Sequence, residues 1–265
     1  MTQYRSMDSL VHTFLDLIKK VESITGYPIK IVAFDFDCTL IPFHTTGSYQ
    51  IYQEDGKLKP GVLDKFFPEK EWIQLLIIGL VESGKIPAIA SHSDTRFIPP
   101  NGKQKGYRGG VDLILPLVDS LLPGDLFKTD NVIAYSREQD GSFKDKNQQI
   151  QDLVTGLNMR LKTQYGLENI LLIDDTWQNI DRCQGYHSIY SDFKGTGLSL
   201  GSKLKDLPLY LDTLDKQLNK QVKNKQGLTI LKESIFTLPG SPWMYIVPAI
   251  GLVVTAKFFI DKTSN

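Results

Sequence analysis

Asp35 and Asp37 stand one residue apart at the end of an apolar run, Ile31-Val32-Ala33-Phe34. Two carboxylates this close repel each other unless a cation or a shared proton offsets the charge. Asp174 and Asp175 close a second apolar run, Asn169-Ile170-Leu171-Leu172-Ile173. Hydroxyls end the runs as well: Thr39 follows the first aspartate pair, and Ser91 and Ser93 follow Ile86-Pro87-Ala88-Ile89-Ala90. Four carboxylates brought together require a cation, and all-oxygen donors suit Mg²⁺, which is commonly held by a few carboxylates plus a substrate phosphate. The four histidines (His12, His44, His92 and His187) are scattered and read as structural or exposed. Mg²⁺ with hydroxyl donors and a lysine is the equipment of phosphoryl transfer. One carboxylate can attack phosphorus and form an aspartyl-phosphate. A second, two residues on, can protonate the leaving oxygen and then activate water.

These groups converge only if the elements that carry them share an edge. Each apolar run ends in turn-prone polar residues, as a buried strand does at a solvent-facing tip. Within a strand side chains alternate, which would aim positions 35 and 37 the same way. Helical spacing appears over 6–25, with Gly26 as a stop, over 62–83, 111–122 and 146–165, and in a short piece over 176–184. Strands are expected at 31–37, 86–90, 131–135, 169–173 and 187–190. Residues 41–60 read as a loop or short hairpin, and 97–110 as a Gly-, Lys- and Pro-rich loop. Strands alternating with helices predict an α/β fold: a Rossmann-like three-layer α/β/α sandwich around a mostly parallel five-stranded sheet. In such a sheet the strand ends lie on one edge, where ligands bind.

Composition narrows the field. The 265 residues include 30 Lys plus Arg and 30 Asp plus Glu, a formal net charge of zero. No bulk positive field draws phosphate backbones, which argues against nucleic acid as a partner. Two cysteines, Cys38 and Cys183, make neither a disulfide framework nor a CxxC pair. The mostly polar residues 1–9 are followed by no unbroken apolar run, so no secretory signal is read there.

Asp35-Phe36-Asp37-Cys38-Thr39-Leu40 resembles the DxDxT signature of the haloacid dehalogenase (HAD) superfamily. The resemblance covers roughly 28–195, within a HAD-like catalytic domain expected over 1–205. It implies that Asp35 is the nucleophile and Asp37 the general acid and base. Ser91 resembles the second motif, whose hydroxyl binds the phosphoryl group. Asp174-Asp175, followed by Thr176 and Asn179, resembles the fourth motif. With Asp35, and with Asp37 through its backbone carbonyl, that pair would hold Mg²⁺. The third motif is a lysine at a helix start; Lys146 fills that place, with Lys144 in reserve. Thr39 joins Ser91 and Lys146 as a phosphate-binding residue. The short stretches between motifs leave no room for a large cap domain. The segment Asp35–Phe43 further resembles the capless magnesium-dependent phosphatases, which implies a phosphoprotein substrate, phosphotyrosine above all. That branch usually carries an Arg after the second-motif hydroxyl; here the residue is His92, with Arg96 four residues later.

Other readings of the same residues are weaker. A cysteine phosphatase needs an Arg six residues after its Cys, and the residue six after Cys38 is His44. Cys38 therefore reads as a small buried filler in the turn. No GxxxxGK[ST] is present to form a P-loop. Lys103, Lys105 and Arg108 make the 97–110 loop basic, either a solvated loop or a rim that attracts an anionic substrate. A non-catalytic interaction module on a HAD scaffold and a small-molecule phosphatase are the alternative functions.

Beyond residue 205 the composition changes. Residues 206–240 read as a Lys-rich helical linker and 241–262 as a hydrophobic segment. Residues 243–256 carry no charge, and only Lys257 interrupts the run to 260. A membrane-spanning helix wants about 20 apolar residues. Trp243 and Tyr245 suit an interface. Lys216, Lys220, Lys223, Lys225 and Lys232 would hold their side in the cytoplasm. Residues 243–260 are thus a candidate tail anchor, with the catalytic domain facing the cytoplasm.

Overall fold

The computed structural model describes residues 2–68, 70–122, 124–136 and 144–191. The linker and hydrophobic segment read from the sequence at 206–240 and 241–262 lie outside these residues. Among the described residues, no helix is long and apolar enough to cross a membrane.

The first helix, α1 (Thr2–Thr25), buries Val11, Phe14, Leu17, Ile18 and Val21, the stripe expected of one helical face. β1 (Ile31–Phe34) follows and is buried along its whole length. The chain then forms β2 (Ser48–Gln50), α2 (Val62–Phe66), α3 (Lys70–Glu82) and β3 (Ile86–His92). It continues through β4 (Tyr107–Gly109), α4 (Val111–Leu121), β5 (Val132–Tyr135) and α5 (Lys146–Leu161). β6 (Ile170–Asp174), α6 (Trp177–Asp181) and β7 (His187–Tyr190) complete the described fold.

Five strands form one sheet in the order β5-β3-β1-β6-β7, and every pairing is parallel. Ile31 is in register with Ile86 on one side and Ile170 on the other. The strand order reverses beside β1, which makes the crevice outside the β1 and β6 tips the natural place for a ligand.

Alternation along β1 divides the core. Val32 and Phe34 face the layer of α1, α3 and α4, with Phe14, Trp72, Leu76 and Leu117. Ile31 and Ala33 face α5, with Ala88, Ala90, Ile150, Leu153 and Leu157. Both faces are covered, as an α/β/α sandwich requires. The α5 face is built on alanines, which let that helix approach the sheet closely. Truncating a fully buried anchor such as Trp72 to Ala would cost about 3–5 kcal/mol.

Two local expectations are corrected. The helix expected over 62–83 is two helices. Phe67 precedes Pro68, a position that disfavours helical backbone, and takes φ −126° and ψ 73°. Phe66 and Phe67 then pack on Phe36, each with ring centroids 6.4 Å away.

The segment at 97–110 differs from its reading as a plain loop, and 41–60, read as a loop or short hairpin, also takes a distant partner. β2 pairs antiparallel with β4, more than fifty residues later. This two-stranded flap depends on close backbone approach at Gly106, which has φ 82° and where a Cβ would lie 2.0 Å from the Tyr52 carbonyl oxygen. Locally, 51–59 closes a short hairpin: the Tyr52–Leu58 bridge is flanked by Lys59 N donating to Ile51 O and Gln53 N donating to Lys57 O, 2.8 Å each.

Candidate active site

The tips of β1 and β6 are fixed by backbone hydrogen bonds that extend the sheet past its named strands. Asp35 N donates to Ile173 O (2.8 Å), and Ser191 N donates to Asp174 O (2.8 Å). Lys146 comes from the first turn of α5. Asp145 caps that helix by accepting from Gln148 N (2.9 Å). The close packing of α5 on the alanine face brings the lysine stem under the strand tips. Lys146 Nζ donates to Asp35 Oδ1 (2.8 Å) and to Ala90 O (2.6 Å), and lies 3.0 Å from Asp174 Oδ2. An ammonium has three donors, and all three are engaged.

Asp174 is fully buried and saturated. Its Oδ1 accepts from Thr176 N (2.8 Å), and Asn179 Nδ2 lies 3.0 Å from both of its oxygens. Asp35 is 8 % exposed. Its Oδ1 is taken by Lys146, and among the described residues no hydrogen bond engages Oδ2. Asp175 is half-buried beside them. One carboxylate oxygen from each of Asp35, Asp174 and Asp175 lies within 4.8 Å of the other two. One ammonium thus faces three carboxylates.

That imbalance is visible in the acidities. Burial, opposed by Lys146 and reinforced by Asp174, pushes the Asp35 carboxyl up to about 7. Burial, with Asp174 next, pushes Asp175 up to about 6. Burial alone would lower the Lys146 ammonium, but Asp35 and Asp174 outweigh it and hold it above its ordinary value. Acids held up this way are short of positive charge. An all-oxygen trio around that deficit fits a hard divalent cation such as Mg²⁺.

Asp37 sits differently. The expectation that Asp35 and Asp37 point the same way assumed strand geometry through position 37. The strand stops at Phe34, and a turn begins in which Leu40 N and Ile41 N both donate to Phe36 O (3.0 and 3.1 Å). Asp37 Oδ2 accepts from Thr45 N (2.8 Å) and Thr45 Oγ1 (3.0 Å), with His44 Nδ1 at 3.9 Å. Asp37 Oδ1 is buried with no hydrogen-bond partner. Burial raises this carboxyl too, against the two Thr45 hydrogen bonds. The Asp37 carboxylate lies outside the Asp35–Asp174–Asp175 trio, which leaves its backbone carbonyl as the atom expected to meet a metal.

The hydroxyls divide as well. Ser91 is buried and makes only a long contact to His92 O (3.5 Å). Ser93 is committed to the flap: it donates to Gly47 O (2.9 Å) and accepts from Gly110 N (2.7 Å). Thr39 is fully buried, and its hydroxyl faces Ser191 Oγ (3.2 Å), which ties the turn to the end of β7. Cys38 is half-buried rather than the buried filler expected, with φ 56° at the apex of the turn. Its sulfur, a His44 ring nitrogen and an Asp175 oxygen also lie within 4.8 Å of one another.

Lys144, the reserve lysine, sits over the Tyr135 ring (4.8 Å), and its carbonyl meets His92 Nε2 at 2.9 Å. It does not reach the acidic trio. Burial, then Lys146, lowers the His92 imidazole. Arg96 is paired with Asp94 (2.6 Å). Arg108 stacks over Tyr52 (4.9 Å) and donates to the Lys103 and Tyr107 carbonyls, so it holds the flap together.

Sequence reasoning missed Thr45, which lies eight residues after Asp37 in a segment with no periodicity. It also missed a cavity of about 510 Å³ beneath the flap, whose walls include His44, Thr45, Tyr49, Lys59, Lys65 and Tyr107. No protein-family model matches this chain, and no curated protein matches it.

Proposed function

We propose that this chain is a Mg²⁺-dependent phosphatase of the HAD type, hydrolysing phosphate monoesters through an aspartyl-phosphate. The observation that supports this best is the buried lysine shared between Asp35 Oδ1 and Asp174 Oδ2, with Asp175 completing an oxygen trio at the strand tips. Asp35, Asp174 and Asp175 would hold the cation. When bound, it supplies neutralisation of phosphate charge.

The chain's own groups take the remaining roles. Asp35 Oδ2 accepts no hydrogen bond among the described residues and is the oxygen free to attack phosphorus. Lys146 holds the Asp35 carboxylate in place through Oδ1 and offsets charge between it and an incoming phosphate. Ser91, with a barely engaged hydroxyl, is available to a phosphoryl oxygen. Asp37 is held by Thr45 with its acidity weakened, as suits a group that gives a proton to the leaving oxygen and then takes one from water. The proposal extends to a phosphoprotein substrate, phosphotyrosine above all, and to attachment at a membrane through residues 243–260 with the catalytic domain on the cytoplasmic side.

The test is hydrolysis of an aryl phosphate by the full chain, with Mg²⁺ and with EDTA. Turnover should require the metal and vanish in Asp35→Asn. Activity that survives that substitution removes Asp35 as nucleophile. Deleting 240–265 should release the protein from membranes; an unchanged distribution refutes the anchor.

A further inference from the structure

The cavity under the flap is electrostatically one-sided. The chain as a whole is neutral. Yet the cavity is lined by Lys59, Lys65 and His44, and none of its lining residues is acidic. The carboxylates next to the two lysines along the chain are engaged elsewhere, and Asp37 lies at the His44 and Thr45 wall. Asp55 pairs with Lys57 (3.2 Å), and Asp64 pairs with Lys70 (2.8 Å). Among the described residues neither Lys59 nor Lys65 has a carboxylate partner. Lys65 is nonetheless positioned: its ammonium lies 4.8 Å from the Tyr49 ring centre and 5.7 Å from that of Phe43, and it donates to the Tyr49 hydroxyl. Two cations held at one cavity without counter-charge favour an anion there.

The position of the cavity says which part of a ligand enters it. His44 and Thr45 are both cavity wall and neighbours of Asp37: Thr45 Oγ1 lies 3.0 Å from Asp37 Oδ2, and His44 Nδ1 lies 3.9 Å away. Asp37 is the group assigned to the leaving oxygen, so the cavity lies on the leaving-group side. Its Tyr49 and Tyr107 walls suit an aromatic ring.

We infer that this cavity is the leaving-group subsite, and that it selects phosphotyrosine peptides with carboxylates beside the phosphorylated residue, read by Lys59 and Lys65. The turnover arm of the test rests on the phosphatase reading; the binding arm does not.

The experiment uses the full chain and two phosphotyrosine peptides that differ only in flanking Asp and Glu against Asn and Gln. Two partly exposed ion pairs should lower KM for the acidic peptide roughly tenfold, less at high salt. Lys59→Gln with Lys65→Gln should erase the difference between the peptides, whereas Lys59→Arg with Lys65→Arg should retain it. Binding of both peptides to Asp35→Asn protein, followed by calorimetry, should show the same preference without turnover. Equal affinity for both peptides, or a preference that survives the Gln pair, overturns the inference. A preference in binding with no turnover by the unaltered chain would uphold the cavity as an acidic-peptide site and sink both its leaving-group role and the phosphatase reading.

Discussion

Asp35 and Asp37 end in contrasting surroundings although one residue separates them. Asp35 belongs to a buried pole, where Lys146, Asp174 and backbone from two strands hold it in place. Asp37 belongs to an open pole, formed by the Thr45 turn, His44 and a cavity walled by the flap. At the buried pole every charge depends on a neighbour, since desolvated charges are stable only when paired. At the open pole neither lysine has a carboxylate partner among the described residues, and their charge is available to a ligand. Phe36 divides the two poles by driving its ring into the core against Phe66 and Phe67. The carboxylates flanking it are thereby left to different partners. Chemistry that needs one carboxylate as nucleophile and another as proton carrier gains from that asymmetry.

The contrast is broken most directly at Lys146. Lys146→Ala leaves Asp35 and Asp174 buried beside each other without their cation, and should cost about 3–5 kcal/mol in urea unfolding. A loss below about 1 kcal/mol would mean that water reaches the strand tips and that the buried pole is not dry.

The next effect is one of pH. The folded-state Asp35 carboxyl lies near 7, above its ordinary value of 3.8. Between these values the folded state binds more protons than the unfolded state, so stability falls as pH rises. Metal-free protein should lose on the order of 3 kcal/mol between pH 4 and pH 7. Thermal unfolding in EDTA measures the slope, and Asp35→Asn should flatten it. Mg²⁺ at a hundred times its Kd should restore about 2.7 kcal/mol above pH 7, and less at pH 5.

Thr45→Val tests the open pole from its protein side. It removes one hydrogen bond to Asp37 Oδ2 and should cost about 1 kcal/mol. Asp37 should then titrate higher, which would move the basic limb of the kcat/KM pH profile, where its proton is lost, upward. An unmoved limb would show that Asp37 does not govern it.

The smallest stability effect should fall on Lys65. Lys65→Gln changes an exposed side chain and should alter unfolding by less than about 0.5 kcal/mol. A larger loss would make its contact with the Tyr49 ring structural and blur the distinction between the poles.

Much of the buried pole was legible in the residue order. Asp35 and Asp174 each follow a run of apolar residues too short for a helix, and a parallel sheet must bring such tips together. Lys146 was legible only through the family resemblance, because a lysine at a helix start is otherwise unremarkable. The open pole was not legible. β2 and β4 are three residues each, and the residues they pair lie more than fifty positions apart. No local pattern records such a partnership. Lys59 and Lys65 look like surface lysines until the flap closes a cavity around them. The departure at Asp37 has a sharper cause: alternation holds only inside a strand, and β1 ends at Phe34, one residue before the pair begins.

The α/β architecture, the strands of the parallel sheet and the carboxylates at their tips can be read from residue order. These follow from hydrophobic periodicity, which acts between neighbours along the chain. The tertiary structure alone decided which carboxylate is buried with Lys146, which one the turn hands to Thr45, and that two lysines share a cavity. Those outcomes depend on close packing between segments distant in sequence: α5 against an alanine face, and one short strand against another. Contact of that kind is a property of the folded chain and has no local signature.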